Sequence, residues 1–226
     1  FTYIEAYFRS IMSLPGGRAK AVILYDSLPE DMPRKYTPAD GTVSFVKVDI
    51  SGIDPLMGLN DLRYQLFEDQ VKKHPEWDTI FMTDSRDVVV LHNPCVIVER
   101  QPEKMFVGSQ LDSLKPRWWF NESFHAMGGK YLKWYEAQPD HTQVKLSAGI
   151  MGGKRELVLK SLAALNSALM DPELEVRKKG HQVVINMAAF NYVFHGEFEQ
   201  AHVTGFPLHS KWNEWENRTD VYFWHH

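Results

Sequence analysis

Thr79-Ile80-Phe81-Met82-Thr83-Asp84-Ser85-Arg86-Asp87 is the stretch whose reading decides the fold. Its first five residues form a short apolar run that reads as a buried strand. Asp84 and Asp87 close that strand. Two carboxylates so placed, with no lysine beside them, suit a hard divalent cation, which takes oxygen ligands and often holds substrate phosphates too. The same four residues also suit an ordinary turn, since Asp and Ser favour turns. Val88-Val89-Val90-Leu91 continues into buried structure, however, and acids between buried segments need a counter-charge. Arg86 supplies one as a salt bridge, and a metal ion is the other source.

Outward from this strand, the pattern alternates. Phe1 to Leu14 reads as a helix with Ile4, Phe8 and Ile11 on one face, stopped by Pro15-Gly16-Gly17. Ala21 to Tyr25 reads as a buried strand, residues 26–41 as a loop, Val43 to Val48 as a strand and residues 51–58 as another loop. Asn60 or Asp61 caps a helix reaching about Lys73, with Leu62, Leu66, Phe67 and Val71 on its apolar face. Arg63 and Gln70 fall inside that apolar arc, and an inward arginine requires a partner. Downstream, Lys104 to Ser109 reads as a strand, residues 110–143 as an irregular aromatic segment, and Leu146 to Met151 as a strand. Helices follow at Arg155–Met170 and at about Gly180–Phe194. Strands alternating with helices predict an α/β fold with a mostly parallel sheet covered on both faces. Ligands in such sheets bind beyond the carboxyl ends of the strands, which is where Asp84 and Asp87 stand. No linker divides the chain, so a single domain is expected.

Composition narrows the function classes. The 226 residues are 44% hydrophobic, enough for a substantial core. A formal charge of −4 argues against a nucleic-acid binder that works by neutralising phosphates. Cys95 is the single cysteine, which rules out an intrachain disulfide and fits a reducing compartment. No apolar run reaches the roughly 18 residues of a membrane span. A cytoplasmic location is expected, or a Golgi or membrane-associated one had an anchor preceded Phe1.

Other segments carry chemistry-bearing residues, each with a plainer alternative. Phe206-Pro-Leu-His209-Ser-Lys211-Trp-Asn213 offers an imidazole for a carboxylate metal site and a lysine for a phosphate, or is a surface loop. Ser147-Ala-Gly149-Ile-Met-Gly-Gly153 lets a ligand or another backbone approach closely, or is a tight strand-to-helix turn. Gln182, Asn186 and Asn191 offer hydrogen bonds to a polyol, or form a satisfied polar seam. Cys95 reads as a structural thiol, and Asp112, Glu122 and Asp140 as solvated acids or a general base.

Taken in order, these pieces resemble the GT-A glycosyltransferases. The resemblance rests on Asn60-Asp-Leu-Arg-Tyr-Gln, Trp77-Asp-Thr-Ile-Phe-Met-Thr-Asp-Ser-Arg-Asp-Val, Ser147-Ala-Gly-Ile-Met-Gly-Gly, Met187-Ala-Ala-Phe-Asn-Tyr and Pro207-Leu-His-Ser-Lys-Trp. It spans about residues 20 to 215 and implies a nucleotide-sugar half at about 1–110 and an acceptor half at about 111–226. In that family an acidic motif binds Mn²⁺ or Mg²⁺, which bridges the diphosphate of a nucleoside-diphosphate sugar. The resemblance therefore implies that Asp84 faces the ribose or the metal, that Asp87 ligates the metal and that His209 is the third protein ligand. It implies that Lys211 meets the diphosphate, that Arg63 meets phosphate or the donor sugar, that Gly149 borders the sugar and acceptor, and that Trp118 and Trp119 stack on a glycan acceptor. The expected activity is transfer of a hexosyl or deoxyhexosyl unit, with a UDP-sugar favoured as donor and a GDP-sugar as the alternative. The motif departs from the commoner Asp-x-Asp, and Asn186 stands where related helices often carry an acid. A sugar-phosphate nucleotidyltransferase and a non-catalytic carbohydrate-binding domain are the competing readings.

Overall fold

The computed structural model describes residues 4–14, 19–51, 54, 56–114, 118–139, 143–180, 183–211 and 218–226. Helices and strands run in the order α1 (Glu5–Met12), β1 (Ala21–Tyr25), α2 (Asp31–Tyr36), β2 (Val43–Lys47), α3 (Leu59–Lys73), β3 (Thr79–Thr83) and β4 (Val88–Val90). They continue with α4 (Cys95–Arg100), β5 (Met105–Ser113), α5 (Trp118–Met127), α6 (Gly129–Ala137), β6 (Val144–Lys154) and α7 (Arg155–Leu169). The last are α8 (Glu175–Lys179), α9 (Asn186–His195), β7 (His202–Val203) and β8 (Phe223–His225).

The fold is mixed α/β, as the alternation predicts, but the strands do not run mostly parallel. The largest sheet has the order β3-β6-β5-β7. Its central strand β6 is antiparallel to both β3 and β5, while β7 is parallel to β5. Parallel β1 and β2 form one separate pair, and antiparallel β4 and β8 another. The reason lies in the connection before β6. A single covering helix returns the chain parallel to the previous strand, whereas β5 and β6 are joined through two helices, α5 and α6, and β6 comes back reversed. It then inserts between β3 and β5, so both of its neighbours oppose it.

The segment expected to be irregular is helical. Phe120, Phe124 and Met127 recur at helical spacing along α5 and are buried, and Tyr131 and Tyr135 do the same on α6. Phe124 and Tyr135 stack at 4.3 Å between ring centroids, which locks the two helices together. Gly128 separates them at φ +68°, and a β-carbon there would fall 2.3 Å from Glu175 Cγ. The expected loop at 26–41 likewise contains α2, and the last long helix begins at Asn186 rather than near Gly180. Pro15-Gly16-Gly17, Asp140, Gln182 and Trp212-Asn213 lie outside the described residues.

Two apolar layers cover the large sheet. On one face Met105, Val107, Leu146 and Met151 meet residues of α3, α5, α6, α7 and α9, among them Tyr64, Phe124, Leu162 and Phe190. On the other, Phe106 and Ile150 meet Ile11, Ile23, Val88, Val98, Leu208 and Phe223. Each fully buried side chain of this size contributes roughly 1.5–3 kcal/mol. The second layer ties α1, β4 and β8 to the end of β3, and so fixes the surroundings of the acidic turn. Two hydrogen bonds strengthen that tie. The Thr83 hydroxyl donates to Tyr7 Oη at 3.1 Å, and the Val90 N–H donates to Ser10 Oγ at 3.0 Å.

Candidate functional site

The acidic turn begins where β3 leaves the sheet. The Asp84 N–H still donates to the Gly149 carbonyl at 2.8 Å, so the first acid remains registered against β6. Its carboxylate is paired with Arg63, which reaches it from α3. The same guanidinium donates to the Ala148 carbonyl at 3.0 Å and to Tyr64 Oη at 3.3 Å. This is the partner that an inward arginine requires. Burial alone would lower the Arg63 pKa, but Tyr64 and Asp84 together hold it above the ordinary range. The counter-charge for Asp84 thus comes from Arg63, a residue 21 positions earlier, and not from Arg86.

Asp87 is in a different state. Its Oδ1 is buried with no hydrogen-bond partner. Burial, and then the charge of Asp84, pushes its pKa above the usual carboxylate range, while Arg63 and Arg86 offset only part of that. A buried acceptor without a donor is costly, and one facing a second carboxylate more so.

The next strand brings in residues that the sequence reading missed. β4 pairs with β8, setting Val88 opposite His225, and the His226 N–H donates to the Asp87 carbonyl at 2.8 Å. His225 is 2% exposed, and its N–H donates to Ser210 Oγ at 3.0 Å. Its imidazole lies against Gly149. A β-carbon on Gly149 would come within 2.7 Å of His225 Cε1 and Nε2 and 3.2 Å of Asp84 Oδ2. Gly149 is therefore the residue that allows imidazole and carboxylate to share this space. Burial, then the charges of His209, His226 and Arg63, lowers the His225 pKa to about 3, so the ring is neutral. Its Nδ1 is buried without a hydrogen-bond partner. The signal for His225 is present in the sequence. Val221, Phe223 and His225 alternate with Tyr222, Trp224 and His226, and only the first set is buried.

Asp84, Asp87, Arg63 and Gly149 lie together at the end of β3, and His225 joins them. His209 does not take the position of a third ligand. Gly205 N–H donates to its Nε2 at 3.3 Å, Thr204 Oγ1 lies 3.3 Å from the same nitrogen, and its Nδ1 bonds the Ser210 carbonyl. Both ring nitrogens serve their own loop, because the bridge to Phe223 sets the backbone of that loop and holds the ring inside it. His209 acts on the site through its neighbours. Ser210 anchors the His225 backbone, and Lys211, half-buried, follows directly.

The other candidates sort as follows. Asn191 bonds the Leu146 N–H and carbonyl and the Met187 carbonyl, which makes it a satisfied seam between α9 and β6. Asn186 is buried, and its N–H donates at 2.7 Å to the buried Asp61 carboxylate, so it stands at the start of α9 as a structural element. Asp112 pairs at 2.9 Å with Lys145, whose side chain is fully buried beneath Trp119 and Phe120. Trp118 is 75% exposed, and Glu122 is exposed on α5. Cys95 is half-buried, its thiol pKa pushed up by burial and by Glu99, as befits an inert thiol.

The donor set suits a divalent cation in type, with two carboxylates and a neutral imidazole. Two of its atoms, Asp87 Oδ1 and His225 Nδ1, are buried without partners. Among the described residues, however, no group of three or more His, Cys, Asp and Glu side chains is arranged to hold a metal ion. No helix of the described residues is long and apolar enough to cross a membrane. No protein-family model matches the chain, and no relative is found among curated proteins.

Proposed function

We propose that this chain is a divalent-cation-dependent glycosyltransferase of GT-A type, acting on a nucleoside-diphosphate sugar, with a UDP-sugar favoured, and a glycan acceptor. One observation carries the reading: Asp87 presents a buried, unpartnered carboxylate oxygen beside Asp84, at the end of β3. That arrangement is costly by itself and is relieved by a cation. Asp84 and Asp87 would hold the ion, with the phosphate oxygens of the nucleotide completing its oxygen ligands and the His225 ring beside Asp84. When bound, Mn²⁺ or Mg²⁺ supplies Lewis-acid stabilisation of the departing nucleoside diphosphate.

The chain's own residues do the rest. Arg63 fixes the Asp84 carboxylate and leaves its second oxygen toward Gly149 and His225. A neutral His225 keeps a nitrogen lone pair and adds no repulsion toward a cation. Gly149 keeps the carboxylate and the imidazole in close approach. Lys211 and the Arg63 guanidinium add preorganised positive charge where the diphosphate oxygens would lie. A thermal-shift series with UDP, GDP and their sugars, each with and without Mn²⁺, tests the proposal. Stabilisation by a nucleoside diphosphate only when Mn²⁺ is present supports it. Equal shifts with and without the ion, or a response to free glycans alone, would favour the non-catalytic carbohydrate-binding reading.

A further inference from the structure

His195 ends α9 and His202 opens β7, and their rings lie 5.6 Å apart between centroids at an interplanar angle of 83°. Each ring commits one nitrogen to a backbone carbonyl. His195 Nε2 donates to the Val144 carbonyl at 2.8 Å, and His202 Nδ1 donates to the Phe198 carbonyl at 3.0 Å. A carbonyl oxygen only accepts, so in the neutral rings these bonds fix the tautomers. The proton sits on Nε2 of His195 and on Nδ1 of His202. His195 Nδ1 and His202 Nε2 each keep a lone pair, and among the described residues no hydrogen bond engages either atom. Burial holds the His195 pKa below its ordinary value, which keeps that lone pair available at neutral pH.

This is the arrangement of metal-bound imidazoles, in which the second ring nitrogen donates to a carbonyl or carboxylate and so fixes ring and tautomer. The spacing agrees. With a metal–nitrogen distance of about 2.0–2.1 Å, a ring centre lies about 3.2 Å from the ion, and two rings at a tetrahedral or slightly wider angle stand about 5.2–5.5 Å apart. The backbone holds both residues in place. Past the end of α9 the Phe198 N–H donates to the Val193 carbonyl at 3.2 Å, and the N–H groups of Ala201 and His202 donate to the Phe198 carbonyl at 2.9 and 3.0 Å. His202 is then anchored by its pairing with Met105, and its ring rests against Phe194 at 6.2 Å. The electrostatics favour a cation. The C-terminal end of α9 carries partial negative charge, and the exposed Glu199 stands three residues before His202 on the same turn. Both rings are only half-buried, so an ion reaches them from solvent.

We propose that His195 Nδ1 and His202 Nε2 bind a divalent cation of the zinc type, with water completing its coordination. Imidazole suits Zn²⁺, Ni²⁺ and Cu²⁺, whereas carboxylate and phosphate oxygens suit Mg²⁺ and Mn²⁺. The site thus differs from the acidic turn in both its residues and its metal, and it does not depend on the function proposed above. The bound ion would join the end of α9 to the edge strand β7 and close the turn 196–201.

The test uses Zn²⁺ alone, without nucleotide. Imidazole-nitrogen NMR follows His195 and His202 in the wild-type protein. Thermal unfolding and zinc titration follow Asp87→Asn, in which the acidic turn no longer competes for the ion, and the same variant with His202→Gln added. Saturating Zn²⁺ should move the His195 Nδ1 and His202 Nε2 resonances together, and Mg²⁺ should move neither. At about 100 times its Kd, Zn²⁺ should raise the Tm of Asp87→Asn by about 5–10 °C. Adding His202→Gln should weaken zinc binding at least about 10-fold, since even the outer partners of a metal site carry that much. If neither nitrogen moves, or only one of the two, the proposed site is wrong. It is equally wrong if His202→Gln leaves zinc affinity unchanged. The NMR arm uses the wild-type chain, so it decides the matter even if His202→Gln folds poorly.

Discussion

Gly149→Ala is the substitution that probes the site most sharply. The new methyl would lie 2.7 Å from two atoms of the His225 ring and 3.2 Å from Asp84 Oδ2. Carbon and nitrogen atoms rest near 3.5–4.0 Å, so the overlap with the ring is about 1 Å. His225 is 2% exposed, so its ring has little room to swing away, and its backbone is fixed by the pairing with Val88 and by Ser210 Oγ. Overpacking of this kind costs about 1–3 kcal/mol. For a chain of this size that corresponds to a fall in Tm of about 2–12 °C. A double-mutant cycle isolates the cause. His225→Ala removes the ring that the methyl strikes, so Gly149→Ala should cost less in that background than in wild type. The coupling expected from two groups in direct conflict is about 1 kcal/mol or more. Urea unfolding of the four proteins measures it. Additive losses, or a Gly149→Ala variant as stable as wild type, would show that His225 does not occupy the space beside Gly149 and Asp84.

His225 has its folded pKa lowered to about 3 from about 6.5, so it binds a proton in the unfolded chain first. Its contribution is complete above pH 6.5 and is lost as pH falls toward 3, by up to about 5 kcal/mol. Asp61 and Asp87 are shifted upward by burial, so their ionisation costs stability as pH rises through the carboxylate range. The His225 effect is therefore read between pH 6.5 and 5, as a drop in the urea midpoint of the cation-free protein that His225→Ala diminishes. An equal drop in both proteins would remove His225 as its source. Asp61→Ala leaves the N–H groups of Ile185 and Asn186 without their buried acceptor and should cost about 2–4 kcal/mol, measured by the same unfolding curves. Arg63→Met leaves the Asp84 carboxylate without its guanidinium, and Arg63→Lys should restore little, because an ammonium does not reproduce the fork to Asp84 and the Ala148 carbonyl. Full rescue of nucleotide binding by lysine would reduce Arg63 to a point charge.

The sequence revealed those parts of the site that local pattern determines. A five-residue apolar run ending in Asp84 located β3, and the conflict between Arg63 and the apolar face of its helix pointed to a partner that turned out to be Asp84. Gly149 and Gly152 read from the sequence as places of close approach. At Gly149 the neighbour is His225, and at Gly152 it is the Phe81 ring, 2.3 Å from a notional β-carbon. What escaped is what depends on distant segments. The direction of β6 follows from the α5–α6 pair, whose helical period of Phe120, Phe124 and Met127 was hidden by the aromatic residues between them. His209 and His225 stand 16 residues apart on adjoining backbone. Pattern alone could not tell which ring faces Asp84, since that choice is made by the pairing of β8 with β4.

The central claim is that Asp84 and Asp87 gather a divalent cation that holds a pyrophosphate. Isothermal titration of Mn²⁺ and UDP together into wild type and into Asp87→Asn tests it most directly. The account predicts a saturable 1:1 binding event in wild type that disappears in Asp87→Asn, while the unfolding midpoint of the cation-free variant stays equal or rises, because a buried, repelled carboxylate has been removed. Equal Mn²⁺–UDP affinity in the two proteins would contradict it.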